Sequence, residues 1–376
     1  MKAKICDTTL RDGEQAAGVV FTFSERQKIL EMMAKSGVDQ AEVGIPAMGE
    51  DEVKDLRKLA QLNYPIVLST WNRAVREDLN KAYQTGIKRA HVSIPTSPVQ
   101  MKAKLGMNPR QVEERIRRAV AYGQEKDMII SVGLEDASRA HQDFLIYLMK
   151  KLVGDGVQRF RYADTVSLLN PVTTSQRMER IIQSLPGVVE VEIHCHNDFG
   201  LATANTLAAM SAGVQWASTT IMGLGERAGN AALEEVVMAW RHLYQGGDGI
   251  DVSFLQPLAS LVSKASGRKL SEAKPIVGSM VFSHESGIHV DGLIKNPKTY
   301  QSFDPGEIGR KHQFVPGRHS GFSTIVYLLQ QEGIDIDSTK REELMKRVRS
   351  RALRQKRALH IPEVKEIAQK MLQSRG

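Results

Sequence analysis

The chain has 376 residues, 41% of them hydrophobic and 25% charged, which is enough for one large domain and a smaller one and too balanced for a disordered chain. No apolar run approaches the roughly 20 residues that span a bilayer, and the N-terminal MKAKICDTTLRDG enters strand-like sequence without a signal-peptide pattern, so a cytoplasmic location is expected. The net charge of +8 admits a polyanionic partner, while the two cysteines, Cys6 and Cys195, provide neither a disulfide framework nor a CxxC metal site.

Along the chain, apolar runs of strand character alternate with amphipathic helical stretches. The strand candidates are AKICDTTL, VDQAEVGIP, YPIVLSTW, RAHVSIP, DMIISVGLED, RFRYADT, VEVEIHCHND and WASTTIMGLGE. Between them lie SERQKILEMMAKSG, EDEVKDLRKLAQL, NPRQVEERIRRAVAYGQEK and a stretch opening at Asn230, several headed by the Ser, Asp or Asn that caps a helix. Eight βα repeats predict a closed (β/α)8 TIM barrel over residues 1–246 rather than an open doubly wound sheet. Residues 247–320 lose this rhythm and are rich in Gly, Pro and His, the composition of a linker or lid. Residues 321–376 return to a helical pattern, a small C-terminal subdomain.

In such a barrel the reacting groups lie at the C-terminal ends of the strands. Those ends carry Asp7 followed by LRDGEQ, Glu135-Asp136, Asp164-Thr165, His194-x-His196-Asn197-Asp198 and GLGERAGN. His194 and His196, two residues apart on a strand, project from one face, and paired imidazoles suit a divalent metal. Asp12 adds a carboxylate from the first strand, which barrel closure brings near the seventh. One Asp and two His leave positions open for substrate on Mg²⁺, Mn²⁺ or Zn²⁺.

Two other features invite a ligand and are better read as structure. GLGERAGN has the spacing GxGxxxG, not the GxGxxG of a dinucleotide cradle, so a tight turn is expected. Between Lys340 and Arg357 nine residues are Lys or Arg, on a helical pattern with Leu344, Val348 and Leu353. Without stacking aromatics or a recognised motif this reads as the solvated face of a helix, not a nucleic-acid surface. Basic charge can still assist an anionic cofactor such as coenzyme A. In the polar segment, His284, His289 and His319 offer an acid or base.

DTTLRDGEQ, HCHNDFGLATANT, GERAGNAALEEVV and HESGIHVDG, in this order, resemble the homocitrate and 2-isopropylmalate synthase family of Claisen-condensing enzymes. EVGIPAMGEDE, ASRAHQDF and DGLIKNPKTYQSFDP are most similar to its members associated with nitrogen fixation. The resemblance implies metal-dependent condensation of acetyl-CoA with a 2-oxo acid, followed by thioester hydrolysis; for the homocitrate-forming members the acceptor is 2-oxoglutarate. It implies Asp12, His194 and His196 as metal ligands, Arg11 as the donor that stabilises the developing alkoxide, and Glu135 and His289, with Tyr300, as acid–base groups. Thr165 matches a residue that binds the substrate 1-carboxylate, and Asn230 one close to the metal. The family further implies a homodimer in which the segment bearing His289 completes the partner's active site.

This sequence departs from the family in one informative place. Lysine-pathway members carry an arginine before the strand-five acid, in a segment like RFSSED, for the distal carboxylate of 2-oxoglutarate; here the segment is SVGLED, with Ser131 in that place. Arg73, His91 and Arg139 are the substitutes on offer. The tail after Gly321 is shorter than the leucine-responsive domain of feedback-regulated relatives, so such regulation is not expected. The rival readings are 2-isopropylmalate or citramalate synthase, a lyase running the chemistry in reverse, and, from another class, nucleic-acid binding through the basic helix.

Overall fold

The computed structural model describes residues 3–247 and 249–373. Each predicted strand run forms one strand: β1 (Lys4–Asp7), β2 (Gln40–Glu42), β3 (Val67–Arg73), β4 (Arg89–Pro95), β5 (Ile129–Glu135), β6 (Arg159–Asp164), β7 (Glu190–Cys195) and β8 (Trp216–Thr219). They close into a parallel barrel in sequence order, with β8 paired to β1. The fold is thus the TIM barrel expected from the βα rhythm. His194 pairs with Ser218 on β8 and Asp7 with Thr219, so β7, β8 and β1 are consecutive staves.

Side chains on a strand alternate between two faces, and in this barrel the two sets differ sharply in chemistry. One set is apolar and buried, including Val92, Ile94, Val132, Leu134, Phe160, Tyr162, Val191 and Ile193. The other is polar and equally buried: Gln40, Glu42, His91, Arg159, Arg161, Glu192 and His194. Such charges are tolerated inside only when paired. Arg161 therefore donates to Glu192 (2.6 Å) and Glu42 (2.9 Å), and the Arg159 guanidinium lies 4.2 Å from the centre of the Trp216 ring.

The helices begin where backbone donors find acceptors. Helix Phe23–Ser36 is capped by Thr22 in a reciprocal box with Glu25, two residues earlier than the serine in SERQ suggests. Helix Pro109–Glu125 opens on Asn108, as read from the sequence, with Gln111 closing the box. The last barrel helix is Leu233–Leu243 and does not start at Asn230. Asn230 is committed elsewhere: its N–H donates to the Gly223 carbonyl (2.9 Å) and its Nδ2 to that of Leu224 (3.1 Å).

The chain divides into two compact units, Met1–Leu270 and Ser271–Gly376. The first includes helix Leu255–Ser266, which buries Leu258, Ala259 and Val262. The second holds a two-stranded parallel sheet, Ser283–His284 with Gln313–Phe314, and helices Gly287–Lys295, Phe322–Gln331, Arg341–Gln355 and Ile361–Gln373. Its core gathers Ile325, Leu329, Leu344, Val348, Val364 and Ala368. On Arg341–Gln355 the basic residues face outward or lie half-buried, but Leu353 is 59% exposed and Ala352 takes its place in the core. Among the described residues no helix is long and apolar enough to cross a membrane.

Candidate active site

After β1 the chain wraps tightly over the barrel mouth. Asp7 accepts from the Thr9 N–H (2.9 Å), and the amides of Arg11 and Gly13 both donate to the Thr8 carbonyl. Burial pushes the Asp7 carboxyl up to about 7, against its hydrogen bonds from Thr9 and Thr219. This turn delivers Arg11 and Asp12 to the rim.

Across the mouth, His194 ends the inward row of β7 and His196 follows it. His196 forms an isolated bridge with Asn230, and the Asn197 amide donates to the Gly229 carbonyl (2.9 Å), so the GLGERAGN turn holds this strand end in place. Gly229 sits at φ +91° with the Gly223 carbonyl oxygen only 2.0 Å from where a Cβ would lie, a position open to glycine alone.

His194 Nε2 lies 3.2 Å from Asp12 Oδ2 and 3.3 Å from His196 Nε2, and one donor atom from each of the three residues falls within 4.8 Å of the others. All three are buried. His194 Nδ1 is held by Ser218 Oγ at 3.0 Å, which turns Nε2 toward the group. Among the described residues, buried His196 Nδ1 has no hydrogen-bond partner. Burial alone would raise the Asp12 carboxyl, but Arg11 and the two imidazoles outweigh it and hold it well below the usual carboxylate range. Burial, reinforced by the neighbouring His194, lowers His196 to about 4. A carboxylate and two imidazoles converging on one point fit a divalent cation.

The trio opens on a cleft of about 340 Å³. Arg11 lines it and is gripped from behind, its Nε donating to Glu42 at 2.6 Å and its Nη1 to Gln15 at 3.2 Å. Arg11 is thus ion-paired and still faces the cleft. Glu135, at the end of β5, meets Lys104 at 2.5 Å on the opposite wall. Thr165 also lines the cleft; its hydroxyl accepts from the Asp136 N–H (2.9 Å) and its carbonyl from Arg227 (2.8 Å). Asn230 lies behind His196 with its Oδ1 buried and unpartnered among the described residues. His289 and Tyr300 belong to the second unit, where their ring centres lie 4.2 Å apart with the planes tilted by 31°, both exposed.

Of the three substitutes for the missing arginine, only His91 faces the cleft. Arg73 is turned to Asp78 (2.8 Å) and Arg139 to Asp136 (2.7 Å), each neutralising a buried acid. SVGLED now has a physical account. Ser131 Oγ holds His91 Nδ1 at 3.0 Å, and a Cβ at Gly133 would stand 2.5 Å from His91 Nε2, so both departures make room for this imidazole. Burial and the Arg161 guanidinium keep His91 well below its ordinary pKa, hence neutral. Two rim acids serve loops instead: Asp164 accepts from the amides of Leu168 and Leu169, and Asp136 from Ser97. Trp71, Lys104 and Arg161 line the cleft without having been singled out. Arg161 was readable, since it shares the inward parity of RFRYAD with Ala163; Lys104 sits in the helical turn Met101–Leu105, where no pattern marks it.

A model described as HMGL-like matches residues 2–262, and one described as homocitrate synthase post-HMGL domain-like matches residues 276–356. The homocitrate synthase of Frankia alni is 47% identical over 88% of this chain and 93% of its own length. The 2-isopropylmalate synthase 2 of Caldanaerobacter subterraneus is 43% identical over 96% of this chain and 93% of its own. The HMG-CoA lyase structure from Bacillus subtilis superposes with a TM-score of 0.65 at 17% identity, over 72% of this chain and 95% of its own, a likeness of fold. With the barrel model spanning well over half of the sequence, and relatives above 40% identical along most of it, this chain belongs to the HMGL-like family, in the group of the homocitrate and 2-isopropylmalate synthases.

Proposed function

We propose that the protein is a homocitrate synthase, condensing acetyl-CoA with 2-oxoglutarate and hydrolysing the thioester to release homocitrate and CoA. The observation that carries the choice of acceptor is the cleft wall: among the described residues that line it there is no Val, Leu, Ile, Met or Phe. The wall beyond the trio is built from His91, Ser93 and Arg161, with Trp71 as the largest apolar surface. A branched aliphatic tail would find little apolar surface on this wall, whereas a second carboxylate suits the His91 imidazole and the Arg161 charge. This argues against the 2-isopropylmalate alternative that the Caldanaerobacter relative keeps in view, and against citramalate synthesis, whose acceptor has only a methyl tail.

Asp12, His194 and His196 would hold a divalent metal, Mg²⁺, Mn²⁺ or Zn²⁺, which when bound supplies Lewis-acid polarisation of the acceptor's carbonyl. Arg11, fixed by Glu42, donates to the oxygen that becomes an alkoxide as the new C–C bond forms. Thr165 orients the 1-carboxylate, and Asn230 steadies the strand end that carries His196. Glu135 removes a proton from the acetyl methyl group, with Lys104 holding its carboxylate in place. His289, steadied by Tyr300, protonates the alkoxide and activates the water that splits the thioester, CoA leaving as the thiol. These two residues lie in the part of the segment 247–320 that shares one compact unit with the helical remainder, 321–376; in this reading the segment acts as a lid on the active site of the partner in a homodimer.

The test is product identity. Acetyl-CoA labelled with ¹³C in both acetyl carbons, incubated with 2-oxoglutarate, Mn²⁺ and the protein, should yield homocitrate two labelled carbons heavier, with one thiol released per molecule. No labelled homocitrate at full metal occupancy would refute the reading.

A further inference from the structure

Histidine chemistry in the second unit is not confined to His289. The two-stranded sheet pairs Phe314 with His284, the Val315 amide donating to the His284 carbonyl (2.9 Å), and so brings His312 alongside. His284 Nε2 lies 3.1 Å from His312 Nδ1, and His312 Nε2 lies 3.0 Å from Gln301 Oε1. An amide oxygen only accepts, so His312 Nε2 carries a proton; Nδ1 of the neutral ring then accepts, and the His284 Nε2–H donates to it. Both rings are half-buried, with Phe282 meeting His312 edge to face at 6.0 Å between ring centres. Burial, then the neighbouring His312 and His289, lowers the His284 pKa, and burial outweighs Asp304 in lowering that of His312. Each ring is therefore neutral at pH 7, and one proton bridges the pair.

The two ends of this chain of hydrogen bonds lead to His289 and Tyr300. From His284, Glu285 and Ser286 run into helix Gly287–Lys295, and Glu285 Oε1 accepts from the His319 amide (2.9 Å), which fixes that entry. At the other end, Gln301 follows Tyr300 directly. His289 and Gly292 lie three positions apart on one face of the helix. A Cβ at Gly292 would stand 2.7 Å from Tyr300 Cε2, so the bare glycine lets the tyrosine ring lie on the helix beside His289. Both rings are exposed, so burial does little to hold Tyr300 there. The anchored glutamine next to it does.

We propose that His284, His312 and Gln301 form a hydrogen-bonded clasp that positions Tyr300 against His289. The three are positioning residues, acting on the reaction only through the tyrosine and the histidine they align. This deepens, and rests on, the reading in which His289 and Tyr300 serve the condensation.

On the full chain, His284→Leu and Gln301→Leu should each lower kcat for thiol release roughly tenfold or more, because a small displacement of an acting group is costly. KM for both substrates and the Mn²⁺ stoichiometry should stay as in the wild type. His284→Gln, whose amide nitrogen can replace Nε2 as donor, should recover most of the rate. In a Tyr300→Ala background, His284→Leu should cost nothing further, since the clasp acts through Tyr300. Val348→Ala, in the helical core of the same unit, should lower the urea midpoint and spare kcat. Unchanged kcat in Gln301→Leu, a position outside every helix and strand, overturns the proposal. So does a loss in His284→Gln equal to that in His284→Leu, a full added loss in the Tyr300→Ala background, or an equal loss in Val348→Ala. A further readout needs no activity: the His289 ring protons should carry a ring-current shift from Tyr300 in the NMR spectrum, and Gln301→Leu should abolish it. Should the wild type condense no 2-oxo acid, the synthase reading falls, and persistence of that shift in Gln301→Leu is then the result that overturns the clasp.

Discussion

Arg11 Nε lies 2.6 Å from Glu42 Oε1, and the same carboxylate reaches Arg161 through Oε2 at 2.9 Å. One buried acid therefore holds both the arginine beside the metal-type trio and the arginine at the base of the cleft.

Replacing it with a neutral isostere leaves two buried guanidiniums short of a partner, the costly half of breaking a buried pair. Glu42→Gln is expected to lose about 3–5 kcal/mol of stability and most of kcat, read by urea midpoint and thiol release. The pH dependence has a definite sign. Burial opposes ionisation of Glu42, but Arg161 and Arg11 outweigh it and depress its folded-state pKa below that of the unfolded chain. Its contribution is therefore complete above about pH 5 and shrinks as pH falls toward the folded value, with a slope approaching about 1.4 kcal/mol per pH unit. Between pH 5 and 3 the wild type should lose stability more steeply than Glu42→Gln. Parallel slopes would show that the pair does not govern this titration.

The trio predicts one tight divalent-cation site per chain. Calorimetric titration of chelator-treated protein with Mn²⁺ should give that stoichiometry, and Asp12→Asn, His194→Ala or His196→Ala should remove it while leaving the far-ultraviolet circular dichroism unchanged. Condensation should vanish with the metal and return when it is restored. Full activity in rigorously metal-free protein would sink the assignment.

Gly229 links the GLGERAGN turn to His196 through the amide of Asn197. Its φ of +91° and the Gly223 carbonyl 2.0 Å from a prospective Cβ mean that Gly229→Ala must shift the turn, at about 1–3 kcal/mol. Because the turn braces the proposed metal ligand His196, Mn²⁺ affinity should fall along with stability. A variant that is less stable but binds Mn²⁺ normally would uncouple the turn from the site.

His289 is assigned to the partner's reaction, and mixed subunits test this. His289→Ala and His196→Ala should each be nearly inactive, but after random subunit exchange about a quarter of wild-type activity should return, since half of the dimers carry one intact composite site. Verified exchange without recovery would place His289 in its own subunit's chemistry or outside the reaction altogether.

The barrel was legible because eight apolar runs, each followed by a helical stretch, leave few other ways to bury a parallel sheet. The trio was legible because period-two geometry and barrel closure place Asp12, His194 and His196 together from spacing alone. What the sequence hid was competition for charge. Arg73 and Arg139 look as available as His91 in one dimension, and only the fold shows them spent on Asp78 and Asp136. Lys104 was invisible for a related reason: a lysine in a short irregular turn carries no periodicity, and its meeting with Glu135 is settled by tertiary contact. Asn230 reads as a helix cap until the turn claims both its backbone and its side chain.

The central claim is the acceptor, and the direct measurement is kcat/KM by thiol release with acetyl-CoA and saturating Mn²⁺ for 2-oxoglutarate, 2-oxoisovalerate and pyruvate. A polar wall should reject an aliphatic tail by a large factor, on the order of a hundredfold or more, because it desolvates polar groups and offers the tail little apolar surface in return. The account predicts 2-oxoglutarate highest, with His91→Leu and Ser131→Ala narrowing the gap by lowering its kcat/KM selectively. A higher kcat/KM for 2-oxoisovalerate or pyruvate would contradict it.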